Sequence, residues 1–112
     1  NEQAALAQLS KAFDNDAGNA EIAIELGRVA VDLNEADIAS RTLRAVTMMK
    51  IAAPGSAEGT TQRGRALAFF HLSRLAAAQD DRGKARLLVE KALADDPQLE
   101  DARRLADELA DS

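Results

Sequence analysis

The chain has 112 residues, 46% of them apolar and 29% charged, with a net charge of −5, which is enough for one hydrophobic core and too little for most two-domain enzymes. The absence of cysteine excludes disulfide frameworks, thiolate zinc sites and cysteine nucleophiles, and a single histidine excludes a His-rich metal centre or a paired-His catalytic arrangement. No apolar run reaches the ~18 residues of a membrane span, and the first residues, NEQAALAQLS, lack the charged-then-apolar pattern of a signal peptide.

Composition points to an all-α fold: 25 residues are Ala and 14 are Leu, Tyr and Trp are absent, and Pro occurs twice. Ala gives up no side-chain entropy in a helix and Leu little, and β-branched and aromatic residues are sparse. In chain order, a first helix is expected over 2–14, ended by the turn residues Asp14-Asn15-Asp16-Ala17-Gly18-Asn19. Asn19 is a candidate N-cap for a second helix over 19–33, where Ile22, Leu26, Val29 and Leu33 recur at four, three and four. Leu33-Asn34-Glu35 turns the chain into a third, 35–51, carrying Ile38, Thr42 or Leu43, Val46 and Met49 on one face. Pro54-Gly55-Ser56-Ala57-Glu58-Gly59 reads as a loop, and Thr60 or Thr61 as the cap of a fourth helix, 61–79, with Phe69, Leu72, Leu75 and Ala76 inward. Gln79-Asp80-Asp81 and Asp95-Asp96-Pro97 separate the fifth, 82–95, from the sixth, 98–110, with proline suited to a first helical turn. Short connections make successive helices antiparallel.

The chain also repeats itself. A shift of 34 residues lays Ala5 on Ala39, Leu9 on Leu43 and Ala12 on Val46; a shift of 46 lays Leu26 on Leu72, Gly27 on Ser73, Arg28 on Arg74, Ala30 on Ala76, Ala39 on Ala85 and Leu43 on Val89. The two shifts differ by about the length of Ala53–Gly64, so an insertion there restores one common period, that of a two-helix solenoid unit.

On these residues the sequence resembles the tetratricopeptide repeat family. The best match is Ala66–Pro97, with Phe69, Leu72, Ser73 and Ala76 on the first helix, Ala85, Val89 and Ala92 on the second, and a closing Asp96-Pro97. Ala20–Met49 is the second match, through Leu26-Gly27, Ala39, Leu43 and Val46. The resemblance implies antiparallel hairpins stacked as a short right-handed superhelix of about six helices. The chain would then be one domain: a half repeat at 2–19, a repeat at 20–52, an inserted loop at 53–64, a repeat at 65–97 and a polar capping helix at 98–112. Gly27, Ser73, Ala39 and Ala85 would sit where two helices of a hairpin approach closely, and Arg103 and Asp107 would face water.

Motifs for chemistry are few. Gly59-Thr60-Thr61-Gln62-Arg63-Gly64-Arg65-Ala66 looks superficially like a phosphate-binding loop, but Arg65 stands for the lysine, Ala66 for the magnesium-binding hydroxyl, and no strand precedes it. Asp14-Asn15-Asp16 lacks the glycine offset and final Glu of a calcium loop. His71 has no nucleophile or carboxylate implied beside it and reads as a partly exposed helix residue; Met48 and Met49 read as core fillers. No enzyme, cofactor or metal site is expected. Net charge runs −6 over 1–40, +6 over 41–91 and −5 over 92–112, a layout able to steer an acidic partner to the middle. A pI near 4.8 and the lack of stacking aromatics count against nucleic acid.

The resemblance implies a protein- or peptide-binding scaffold whose ligand lies on a concave face formed by the first helix of each hairpin. That face takes Glu21, Ile24, Arg28, Val31 and Asp32 from one unit, and Leu67, Phe70, Arg74 and Ala77, with His71 at the margin, from the other. Arg28 and Arg74 occupy equivalent positions, so side by side they could fork-bond a carboxylate, with Ile24 and Phe70 giving apolar contact; alternatively they pair with local acids such as Glu25 or Asp32. Ile24 and Phe70, Glu25 and His71, and Arg28 and Arg74 do not supply the Asn and Lys of the carboxylate-clamp subtype, so a chaperone tail is not the expected ligand. A structural alternative is a segment of a larger solenoid that self-associates through its ends, for instance as a homodimer through Ala4, Leu6, Ala7 and Phe13 of the first helix. The chain begins with Asn rather than Met, which points to a piece of something longer, and cysteine usage leaves the compartment open with a slight lean to the cytoplasm.

Overall fold

A computed structural model describes residues 1–53, 55–56 and 58–110. Among them the chain forms six helices and no strand: α1 Glu2–Asn15, α2 Ala20–Asp32, α3 Ala36–Thr47, α4 Gln62–Ala78, α5 Arg82–Asp95 and α6 Glu100–Ala110. Part of the expected loop, Pro54 and Ala57, and the end of the expected capping segment, Asp111 and Ser112, lie outside the described residues. Each helix packs on the next, except that α2 also lies against α4. Four starts carry the side-chain caps that their sequence calls for: Asn1, Asn19, Thr61 and Asp81 each accept from a backbone N–H three residues on.

Two buried clusters share α4 as a common wall. On one side Ala23, Ala30, Ala39, Leu43 and Val46 of α2 and α3 meet Ala68, Leu72 and Leu75 of α4. On the other, Ala66, Phe70 and Ala76 of α4 meet Ala85, Val89 and Ala92 of α5 and Ala102 and Leu109 of α6. Of the residues that coincide under the 46-residue shift, all but Arg28 and Arg74, which are partly exposed, are buried in both copies. Gly27 is a place where only hydrogen fits, because a Cβ there would lie 2.3 Å from Leu43 Cδ2. At the equivalent place Ser73 donates its hydroxyl to the Ala85 carbonyl at 2.6 Å, which satisfies a buried polar group while holding α4 close to α5.

Turn geometry repeats as well. Asn34 and Asp80, 46 positions apart, both adopt left-handed backbone, with φ of 58° and 60°. The following amide reaches back the same distance in each, Glu35 N–H to the Ala30 carbonyl (2.7 Å) and Asp81 N–H to Ala76 (2.9 Å), so both hairpins close through the same helix-ending motif. Asn and Asp tolerate this conformation through local side-chain hydrogen bonding.

Two boundaries differ from expectation. α3 stops at Thr47 instead of continuing to 51, because Lys50 to Ala52 turn extended and Ile51 bridges Thr60. Thr60 N–H donates to the Lys50 carbonyl (2.9 Å) and Ala52 N–H to the Thr60 carbonyl (2.7 Å), which closes the inserted segment at its base. Met48, expected as a core filler, is 84% exposed. α6 starts at Glu100, leaving Pro97 in the turn, where Asp96 accepts from Gln98 N–H at 3.0 Å and the Leu99 amide returns to the Asp96 carbonyl.

Candidate functional site

The expected binding face lies on α2 and α4, which run side by side. Successive turns put Glu21, Ile24, Arg28 and Val31 on one stripe of α2, and Leu67, Phe70, His71 and Arg74 on one side of α4. The structure does bring Arg28 and Arg74 together, through a shared carboxylate. Asp32 accepts from Arg28 Nη1 at 3.0 Å with one oxygen and from Arg74 Nη2 at 2.5 Å with the other. Arg28 Nε also donates to Glu25 at 2.6 Å. The pairing with local acids is therefore what occurs, and the place where a ligand carboxylate would bridge the arginines is held by Asp32.

Their protonation follows from these contacts. The Arg74 hydrogen bond holds the Asp32 carboxyl below its usual range, and the Glu25 hydrogen bond raises Arg28 further. Glu25, Arg28, Asp32 and Arg74 thus sum to zero charge. His71 is not a partly exposed residue: it is 7% exposed, its ring 5.0 Å from that of Phe70. Burial first, then the positive charges of Arg74 and Arg28, push its pKa down to about 4, so it is neutral at physiological pH. Since arginine only donates, the 3.1 Å contact from Arg74 Nη1 makes His71 Nδ1 the acceptor and places the ring proton on Nε2.

Phe70 does not stand open in a groove. It is 9% exposed and belongs to the same buried cluster as Ala102 and Leu109, so α6 covers it. Ile24, Val31 and Leu67 are half-buried and Glu21 is exposed. Two depressions lie on this face, one lined in part by Arg74 of the cluster and one at the start of α2 and α4. One, of about 210 Å³, is lined by Phe70 and Arg74 with Asp101, Arg104, Leu105 and Glu108 of α6. The other, of about 520 Å³, opens where Glu21 and Ile24 meet Ala52, Thr60 and Gly64, so the base of the inserted segment forms one of its walls. The α6 residues are additions to the expected set. Carrying the 34-residue period one step further, from Phe70 to Arg104 and from Arg74 to Glu108, would have found them.

The phosphate-loop lookalike is tied up in structural bonds: Thr61 caps α4, Arg63 pairs with Asp96 at 2.9 Å, and Arg65 grips Asp95 through two bonds of 2.7 Å. Among the described residues no group of three or more His, Asp or Glu side chains converges as a metal site would require, and no helix is long and apolar enough to cross a membrane. Comparison with known proteins finds no family model, no curated protein and no solved structure that matches this chain.

Proposed function

We propose that this chain is a non-catalytic protein-interaction scaffold of the tetratricopeptide type, holding a peptide or protein segment against the α2–α4–α6 face. The observation that carries the proposal is the series on that face: a depression at Glu21 and Ile24, the fixed Arg28–Asp32–Arg74 cluster, and a depression at Phe70 and Leu105. A cluster already neutral by itself recognises by hydrogen bonds and shape, with little use of net charge. Asp32 sets both guanidinium groups in place, and Arg74 Nε–H has no partner among the described residues, leaving a donor for a ligand carbonyl or carboxylate. The test is capture of partners on immobilised chain beside an Arg28→Glu/Arg74→Glu variant shown to be folded. A partner held by the first and lost by the second supports the reading; equal capture by both refutes this face.

A second reading has its own support. α1 contains no fully buried residue, and Leu6 and Phe13 are only half-covered by α2 and its neighbours. In that reading α1 packs against a preceding unit or a second copy. Sedimentation would then show a dimer abolished by Leu6→Glu; a strict monomer counts against it.

A further inference from the structure

We propose that the cleft between α3 and α5, on the far side of α4 from the arginine cluster, is a second docking site, and that its occupant is an acidic amphipathic helix of a partner protein. α3 and α5 each pack on α4 but make no substantial contact with one another. The gap has a volume of about 340 Å³, with an apolar floor of Phe69, Leu72, Leu75 and Leu88, a size within the range that receives ligand side chains. Phe69, Leu72 and Ala76 point about half a helical turn away from Phe70 and Arg74, so this site and the proposed groove are separate surfaces.

Charge selects the occupant. Most cations of the middle segment are internally engaged: Arg63 and Arg65 with Asp96 and Asp95, Arg74 with Asp32, and Arg82 and Arg86 with the Leu109 carbonyl at the end of α6. Of the cations of that middle segment, Arg41, Arg44, Lys84 and Lys91 have neither an acidic nor a carbonyl partner among the described residues; outside it Lys11 and Arg103 are likewise without an acidic partner. The four of the middle segment all sit on α3 or α5. Arg44 and Lys84 line the cleft on opposite sides, and Lys91 lies 5.6 Å over the Phe69 ring. Asp37 is the one acid in the lining, at the other end of α3 from Arg44. Two large apolar side chains left exposed, though outside the lining itself, stand one helical turn from these cations: Leu87 (54%) from Lys84 and Lys91 on α5, and Met48 (84%) from Arg44. An apolar trough with unpaired cations on both walls fits a helix that presents apolar anchors one turn apart and carboxylates on its flanks. The acidic helix of a second copy is a poorer occupant, because the apolar side chains of α6 are already committed to its own α5.

The probe is a synthetic helix-forming peptide of about 14 residues with leucines at i, i+3 and i+7 and glutamates on both flanks, beside the same peptide with lysines for glutamates. Binding to the intact chain is followed by fluorescence anisotropy and by amide chemical shifts. The glutamate peptide should bind at least about tenfold tighter than the lysine peptide, shift Ser40, Thr47 and Gln79, and weaken as salt rises. Arg44→Glu/Lys84→Glu should abolish that preference, with Lys84→Gln/Lys91→Gln as a milder pair should the first unfold. Arg28→Glu/Arg74→Glu should leave it intact, which separates failure here from failure of the groove reading. Absence of binding, equal affinity for both peptides, shifts confined to other surfaces, or a dimer dissociated by the cleft variants would overturn the proposal.

Discussion

Replacing Gly27 by alanine tests the close approach of α2 to α3. In an exposed helix interior the change would stabilise by about 1 kcal/mol, because glycine loses more backbone freedom on folding. At this place the new methyl would lie 2.3 Å from Leu43 Cδ2 and 2.4 Å from Leu43 Cγ, where carbon atoms need about 3.5–4.0 Å. Leu43 is fully buried and its Cγ cannot move without the whole side chain, so α2 and α3 must separate. Overpacking of this kind costs about 1–3 kcal/mol, and the upper half of that range applies; after the propensity gain the net loss is about 1–2 kcal/mol. Urea unfolding followed by helical circular dichroism reads it as a lower midpoint with unchanged slope. The sign should reverse once Leu43 is alanine: that change alone costs about 2–5 kcal/mol, and adding Gly27→Ala to it should recover up to about 1 kcal/mol. A Gly27→Ala protein more stable than the parent, or one with the same effect in both backgrounds, would refute the close approach.

Other outcomes follow from the same contacts. His71 has a folded pKa of about 4 against 6.5 for the free group, so the unfolded chain takes up its proton first as pH falls. The stability from keeping it neutral is complete above about pH 6.5 and is lost as pH falls towards 4, by about 3 kcal/mol at most; His71→Gln, which keeps an acceptor for Arg74, should flatten unfolding midpoints across that window. Arg65→Ala breaks the two-bond clasp on Asp95, but the arginine side chain is nearly one-third exposed, so the loss in urea midpoint should correspond to about 0.5–1 kcal/mol and shrink with salt. A ligand of the α2–α4 face, meeting a neutral cluster, should hold its affinity between low and moderate salt in a titration series, whereas a ligand of the α3–α5 cleft should lose most of its affinity.

The helices were legible because Ala and Leu leave little choice of secondary structure and the buried stripes keep their spacing from Ile22 to Leu109. Gly27 and Ser73, which the 46-residue shift pairs, both stand at close helix contacts, and Asn34 and Asp80, a pair the buried pattern does not mark, take the same left-handed turn. Local reading misled at Met48, whose residue type suggests a core filler although it is exposed, and at Ile51, expected to end α3 although the backbone there leaves the helix to pair with Thr60. Pro97 fits a first turn, yet the Asp96 carboxylate holds the turn before it. The state of the candidate site depended on contacts far apart in sequence. Nothing near Arg74 says that Asp32, 42 residues earlier, will take its guanidinium, and nothing near Phe70 says that α6 will cover it. His71 becomes buried only because its own helix is pressed between neighbours, which one helix's sequence does not record.

Site-directed photocrosslinking tests the central claim most directly. A benzophenone side chain is placed in turn at Val31 and Leu67 on the proposed face, at Ser40 beside the cleft and at Lys11 on α1, and each folded protein is irradiated with cell extract. The scaffold reading requires one protein partner crosslinked from both Val31 and Leu67, and lost from both on Arg28→Glu/Arg74→Glu. Crosslinks only from Lys11, or none from Val31 and Leu67 while other positions react, would contradict it.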